Sequence, residues 1–94
     1  MAKDTFEFDA AVGSNLDYGV QWVLEADEVI VTSTWTVLSG AVTVSAEQVD
    51  GSITAAFLAP TIIGQVVKVL NQITTNNEPP RIDSRTVVLS VKRR

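Results

Sequence analysis

Apolar and polar positions alternate with a period of two along most of this chain, in short runs separated by turn residues. That is the pattern of half-buried strands. Over residues 16–23, Leu16, Tyr18, Val20 and Trp22 share one face, and Gly19 points the other way. Over 29–38, Val29, Val31, Ser33, Trp35 and Val37 share a face opposite Ile30, Thr32, Thr34 and Thr36. An isoleucine on that threonine face predicts a bulge, or a second face that is partly covered. The run stops at Ser39-Gly40, a short strand over 41–45 follows, and Asp50-Gly51 supplies a hairpin turn. A strand over 52–58 ends at Ala59-Pro60. Residues 64–75 place Val67, Val69, Asn71 and Ile73 on one face, and Pro79-Pro80 make residues 76–80 a loop. From 81 to 92, Val87, Leu89 and Val91 turn inward while Thr86, Val88 and Ser90 turn outward.

Strands of this length and spacing predict an all-β protein, a single immunoglobulin-like β-sandwich of six to seven strands over residues 16–94. A small closed barrel is the second choice. A helix over 55–70 is opposed by Pro60, Gly64 and a run of β-branched residues. Residues 1–15 read as an N-terminal arm or an edge strand, because Phe6-Glu7-Phe8-Asp9 alternates within an otherwise polar stretch. The expected core is Tyr18, Trp22, Trp35, Val37, Val67, Val69, Ile73, Val87, Leu89 and Val91, with Trp35 facing Val69 and Leu89. Asn71 on an inward face needs hydrogen-bond partners, and backbone groups are expected to supply them.

Composition narrows the chemistry. At 94 residues the chain suits one domain, and one that buries only about 60–65% of its unfolded surface. Contacts with neighbouring subunits would then add useful stability. Neither cysteine nor histidine occurs, which removes disulfides, thiolate or imidazole metal sites and the nucleophilic triads. No apolar run is long enough for a membrane span and the first residues are not a signal peptide, so a soluble chain that stays where it is made is expected, with no membrane partner. Glu25-Ala26-Asp27-Glu28 is too short and lacks the glycine of a calcium loop, and the glycines are scattered singly rather than forming a phosphate cradle. No catalytic residue, cofactor or metal is therefore expected, and no enzymatic activity. The net charge of −4 argues against nucleic acid. Its distribution is uneven: residues 1–50 carry nine acids against Lys3, and residues 51–94 carry six bases against Glu78 and Asp83. No aromatic follows Phe57 to interleave with those bases. Complementary fields of this kind register one copy against another. Phe6, Phe8, Arg81, Arg85, Arg93 and Arg94 are thus the candidate assembly contacts. Trp22 and Trp35 face inward, which suits a core better than a sugar- or base-stacking platform.

Four pieces occur together in order. They are Leu16-Asp17-Tyr18 with Trp22 and Leu24; Ser33-Thr34-Trp35-Thr36-Val37 with Gly40; Asn71-x-Ile73-Thr74-Thr75; and Arg81 with Asp83-x-Arg85 before Val87-x-Leu89-x-Val91. Over residues 16–92 this resembles the phage fiber-tail adaptor family, small virion proteins of tailed bacteriophages. Two departures bear on where the domain docks. Ala59-Pro60-Thr61-Ile62-Ile63-Gly64 stands where the family tends to a glycine-rich turn, and Gln21 and Val23 stand where a second aromatic is usual. The resemblance implies an immunoglobulin-like domain that works by assembly. Its partners would be other virion proteins (tail, baseplate, fiber or capsid subunits) in a symmetric, multi-copy arrangement, and its location the virion after synthesis in the host cytoplasm. An adaptor joining tail or baseplate to fibers is the leading expectation, and a capsid decoration (cement) protein is the alternative within that class. A carbohydrate or cell-surface binding module is the alternative of another class, and would need Tyr18, Trp22 or Trp35 exposed.

Overall fold

Seven strands account for most of residues 5–93, the part of the chain that the computed structural model describes. They are β1 (Thr5–Ala11), β2 (Leu16–Gln21), β3 (Ile30–Ser39), β4 (Val42–Asp50), β5 (Ile53–Pro60), β6 (Val66–Thr75) and β7 (Ile82–Lys92). They form two sheets, β1-β7-β6-β3 and β2-β5-β4, each with free edges, so the fold is an open sandwich and not a barrel. The orders β7-β6-β3 and β2-β5-β4 match the G-F-C and E-centred sheets of an immunoglobulin-like domain, and Trp35 occupies the strand that carries the core tryptophan there.

The first strand was expected as an arm or an edge strand. It runs parallel to β7, from Thr5 opposite Thr86 to Ala11 opposite Lys92, as one edge of the four-stranded sheet. Ala10 is buried, and the Phe8 ring packs against Tyr18 of the other sheet with centroids 5.3 Å apart. That aromatic pair closes the β1/β2 side of the sandwich. Residues 1–4 lie outside the described residues.

The core lies between the sheets. Val20, Trp22 and Leu58 from one sheet meet Trp35, Val67, Val69, Ile73, Val87, Leu89 and Val91 from the other. Each large aliphatic side chain sealed here contributes about 1.5–3 kcal/mol relative to exposure. Tyr18 is only partly buried and flanks this cluster. Val37 is a correction: it alternates correctly with Trp35 yet is 40% exposed. It sits on the free edge β3, and a bulge follows it before Ser39. Trp35 pairs across the ladder with Asn71, while Val69 pairs with Val37, so the expected Trp35–Val69 facing is displaced by one inward position. The bulge that Ile30 implied is present between Ile30 and Thr32, and it lets Ile30 pack on the core while Val31 faces solvent.

Two turns fix the layout. The β4–β5 hairpin closes through Gly51 and Ser52, with Asp50 opposite Ile53. A third bulge, at Ser45/Gln48 with Ala46 at φ +51°, lets β4 continue beyond the expected 41–45. At the corner where β3 leaves one sheet and β4 enters the other stands Gly40, at φ +87°. A Cβ there would lie 2.8 Å from Val67 Cγ2 and 2.9 Å from Val67 Cα, so both the conformation and the space require glycine.

Candidate docking surfaces at the two ends

With the strands lengthwise, the loops gather at two ends. The lower end holds residues 22–29, 51–52 and 76–81; the upper end holds 12–15, 40–41 and 61–65.

The lower end is built outward from a buried polar chain. The Trp22 indole N–H donates to Thr54 Oγ1 at 3.0 Å, and the Thr54 hydroxyl donates to Asn71 Oδ1. Asn71 Nδ2 in turn donates to Ser33 Oγ at 2.9 Å and to the Thr34 carbonyl at 3.0 Å. Thr54 and Asn71 are wholly buried, so these bonds tie the two sheets through groups that would otherwise be costly to enclose. The partners of Asn71 are mainly side chains, where backbone groups were expected. Arg85 caps this chain from outside. Its guanidinium lies 4.8 Å from the Trp22 ring centroid and donates to Asp83 Oδ1 at 2.9 Å.

Next to it, the 22–29 and 76–81 loops are stapled together. Glu28 is buried; its Oε1 accepts from the Glu25 amide at 2.8 Å, and its Oε2 lies 3.2 Å from Arg81 Nε. The Glu25 amide, helped by a Thr75 side-chain hydrogen bond and then by the Arg81 charge, holds the Glu28 carboxyl below its ordinary value against the opposing effect of burial. Arg81 Nη2 also donates to the Val23 carbonyl at 3.0 Å. Asn76 Oδ1 accepts from the Val29 amide at 2.9 Å, and Asn76 Nδ2 donates to the Asp27 carbonyl at 3.3 Å. This fixed loop pair holds out Val23, which is 89% exposed, together with exposed Val29, Val31 and Ile82. Exposed Glu25, Asp27 and Glu78 stand among them.

The upper end is held differently. Val12 N donates to Lys92 O, Gly13 N to Pro60 O, Thr61 N to Ala41 O and Gly64 N to Val91 O, all between 2.9 and 3.2 Å. Three side chains join in: Gln65 Oε1 accepts from the Ala41 amide at 2.9 Å, Ser14 Oγ donates to the Ala11 carbonyl at 2.6 Å and Thr61 Oγ1 donates to the Ala41 carbonyl at 3.4 Å. Leu16, Leu38, Ile62, Ile63 and Val66 are exposed here. The three loops contain no charged residue, and the charges nearest them at the strand ends are the exposed Lys92, Arg93 and Asp17. Exposed Asp9 pairs with Ser90, and exposed Lys68 and Glu7 lie two residues further down, both paired with Val88, so this end is mixed in sign.

The sequence-derived candidates therefore separate. Arg81 and Arg85, expected to reach neighbours, engage groups of their own chain. Phe6 is half-buried against the core, and Phe8 pairs with Tyr18. Arg93 is exposed at the upper end, and Arg94 lies outside the described residues. Trp22 and Trp35 are 4% and 9% exposed, so neither offers the open stacking face that a carbohydrate-binding reading required. Sequence reasoning missed the displayed aliphatics. Val23 follows the inward Trp22 and so had to face out, and Ile62-Ile63 are adjacent apolar residues in a loop. Both signals were available. Among the described residues no pocket opens, and no three acidic side chains gather as a metal site would require.

The model of one protein family, Podophage GP4 fiber-tail adaptor protein gp77, matches residues 11–90. The chain belongs to this family. The match runs from the end of β1 into the last third of β7, and so takes in the polar chain at Asn71 and the whole lower staple. No curated protein matches the chain. Among solved structures, a nucleoside hydrolase-related hypothetical protein from Saccharophagus degradans, described as associated with carbohydrate metabolism, is similar with a TM-score of 0.64 at 19% identity. The alignment covers 94% of this chain but 22% of that one, so this chain spans about a fifth of that protein's length. At such identity the likeness is one of fold. As a phage fiber-tail adaptor by family, the chain is a structural component of the virion.

Proposed function

We propose that this protein joins the tail of a bacteriophage to its fibers through protein–protein contacts made by the two ends of the sandwich, in several copies per particle and without catalysis. The family match over residues 11–90 carries this reading. The structure supplies its physical means. A stapled loop pair presents Val23, Val29 and Ile82 to solvent in a fixed geometry, and a preordered apolar patch loses little freedom on docking. A lone domain gains nothing from holding a valine in water, whereas a junction does.

The test is genetic and microscopic. Phage lacking this chain is expected to yield filled heads with tails but without fibers, and supplying the chain in trans should restore the fibers. Particles that keep their fibers but lose head stability would replace the adaptor reading with capsid cementing. Fibered, stable particles that merely fail to adsorb would point to surface binding instead.

A further inference from the structure

The four free strand edges of the sandwich are not alike. β1 carries Glu7 and Asp9, β2 is six residues long and includes Asp17 and Gly19, and β4 carries Glu47 and Asp50 and is broken by the bulge at Ser45/Gln48. Charge, brevity and bulges are the means by which an edge refuses a further strand. β3 runs for ten residues without a charge, proline or glycine, and its bulges near either end leave Thr32 to Val37 in unbroken register. Half of the N–H and C=O groups of such a strand point away from its one neighbour. Among the described residues no main-chain bond outside the ladder reaches residues 30–39. Val37 adds a side-chain sign of the same vacancy, since it alternates inward with Trp35 and is still exposed.

We infer that β3 pairs with β3 of a second copy, antiparallel about a two-fold axis, so that two four-stranded sheets become one of eight. This rests on the multi-copy reading and names how two copies meet. It can fail while the adaptor role stands, because fiber attachment is measured separately. A two-fold contact sets an edge against itself, and this selects β3. The same operation on β1 would set Glu7 against Asp9, and on β4 it would bring Glu47 near its own copy. Directly opposed residues share a face, so Thr34 meets Thr34 or Thr36 of the second copy, a favourable cross-strand pair, and Val37 is covered. The side that β3 borders is 45 Å long and at least 17 Å deep, which allows a footprint on the order of 750 Å² per copy. A standard stable interface needs roughly 800 Å² per partner, so free chains can hold together by this side alone. β4 lies beside β3 there with exposed Glu47 and Asp50, and two copies bring these acids toward one another. Salt should therefore strengthen the contact.

Sedimentation equilibrium of the full chain from about 1 μM to 1 mM reads the association. The expected result is a dimer that grows no further and is tighter in 0.5 M NaCl than at low salt. Thr34→Lys and Thr34→Glu each place like charges at the seam and should each weaken the dimer at least about tenfold, while an equimolar mixture of the two should pair again. Circular dichroism checks that both variants keep their β structure, and the regained pairing of the mixture cannot come from unfolded chains. Amide hydrogen exchange locates the contact: alternate amides over residues 32–37 should exchange quickly in the monomer and become protected in the dimer, with the β1, β2 and β4 edges unchanged. A chain that stays monomeric at 1 mM overturns the inference and leaves the β3 edge to a strand of another virion protein. So does association that continues past two copies, that is indifferent to both Thr34 variants, or that leaves the β3 amides unprotected.

Discussion

The lower and upper ends solve the same structural problem with different means. Below, side chains do the holding: Glu28 to Arg81, Asn76 to the 22–29 loop, and Trp22 through Thr54 to Asn71. Above, main-chain bonds do most of it, with Gly40 allowing the chain to pass against Val67 at the corner. The difference has a consequence for tolerance. The upper end should accept changes in its displayed side chains and resist changes in backbone shape. The lower end should tolerate backbone-neutral surface changes too, but its geometry depends on a few polar partners far apart in sequence.

The sharpest way to break this contrast is Gly40→Ala. The positive φ costs about 1–2 kcal/mol for any residue with a Cβ, and the approach to the Val67 backbone adds a further 1–3 kcal/mol. A loss of about 2–5 kcal/mol in denaturant unfolding is expected, a large part of what so small a domain has. An unaffected midpoint would mean the upper corner is not set by the backbone.

A smaller effect separates the two tryptophans. Trp22 donates to Thr54 and lies under Arg85, whereas the buried indole N–H of Trp35 has no partner. Replacing each with Phe removes similar volume. At Trp22 it also leaves the Thr54 oxygen short of a donor, while at Trp35 it deletes a donor that was already unpaired. Trp22→Phe should therefore cost roughly 1–2 kcal/mol more than Trp35→Phe. Equal costs would show that the polar chain contributes nothing to the lower half.

The smallest effect concerns pH. Because folding depresses the Glu28 carboxyl, the stability it confers is fully present above its ordinary value of 4.5 and is lost as pH falls through the lower folded value. The gap in melting temperature between the parent chain and Glu28→Gln should be widest near neutrality and should close as pH is lowered past 4.5. A gap that does not change with pH would mean that the staple works by shape and not by charge.

How much of this could be read from the residues differs between the fold and its ends. Alternation was enough for the strands from β2 to β7, for the bulge at Ile30 and for an inward Asn71, because a pleated strand shows two faces whatever it pairs with. Edge status is not a local property. Val37 has the pattern of a core residue yet stays 40% exposed, since nothing beyond β3 covers it. The arginines show the same limit. Arg81 reads as solvent charge until folding sets it against Glu28 from the other half of the chain, and Arg85 until Trp22 arrives beneath it. Burial of a charge depends on its partner, and the partner is chosen by topology. Exposed aliphatics such as Val23 and Ile62 are the converse: their neighbours in sequence already placed them outside, and only their grouping at the ends needed three dimensions.

The most direct test of the central claim, that this adaptor works through its two ends, is a reconstruction of the intact phage particle at a resolution that traces β-strands. This chain should stand at the tail–fiber junction, with residues 22–29 and 76–81 at one end and 61–65 with Lys92 and Arg93 at the other buried in contacts, and the outer sheet faces largely free. Finding it on the capsid surface, or held by its sheet faces with both ends in solvent, would contradict it.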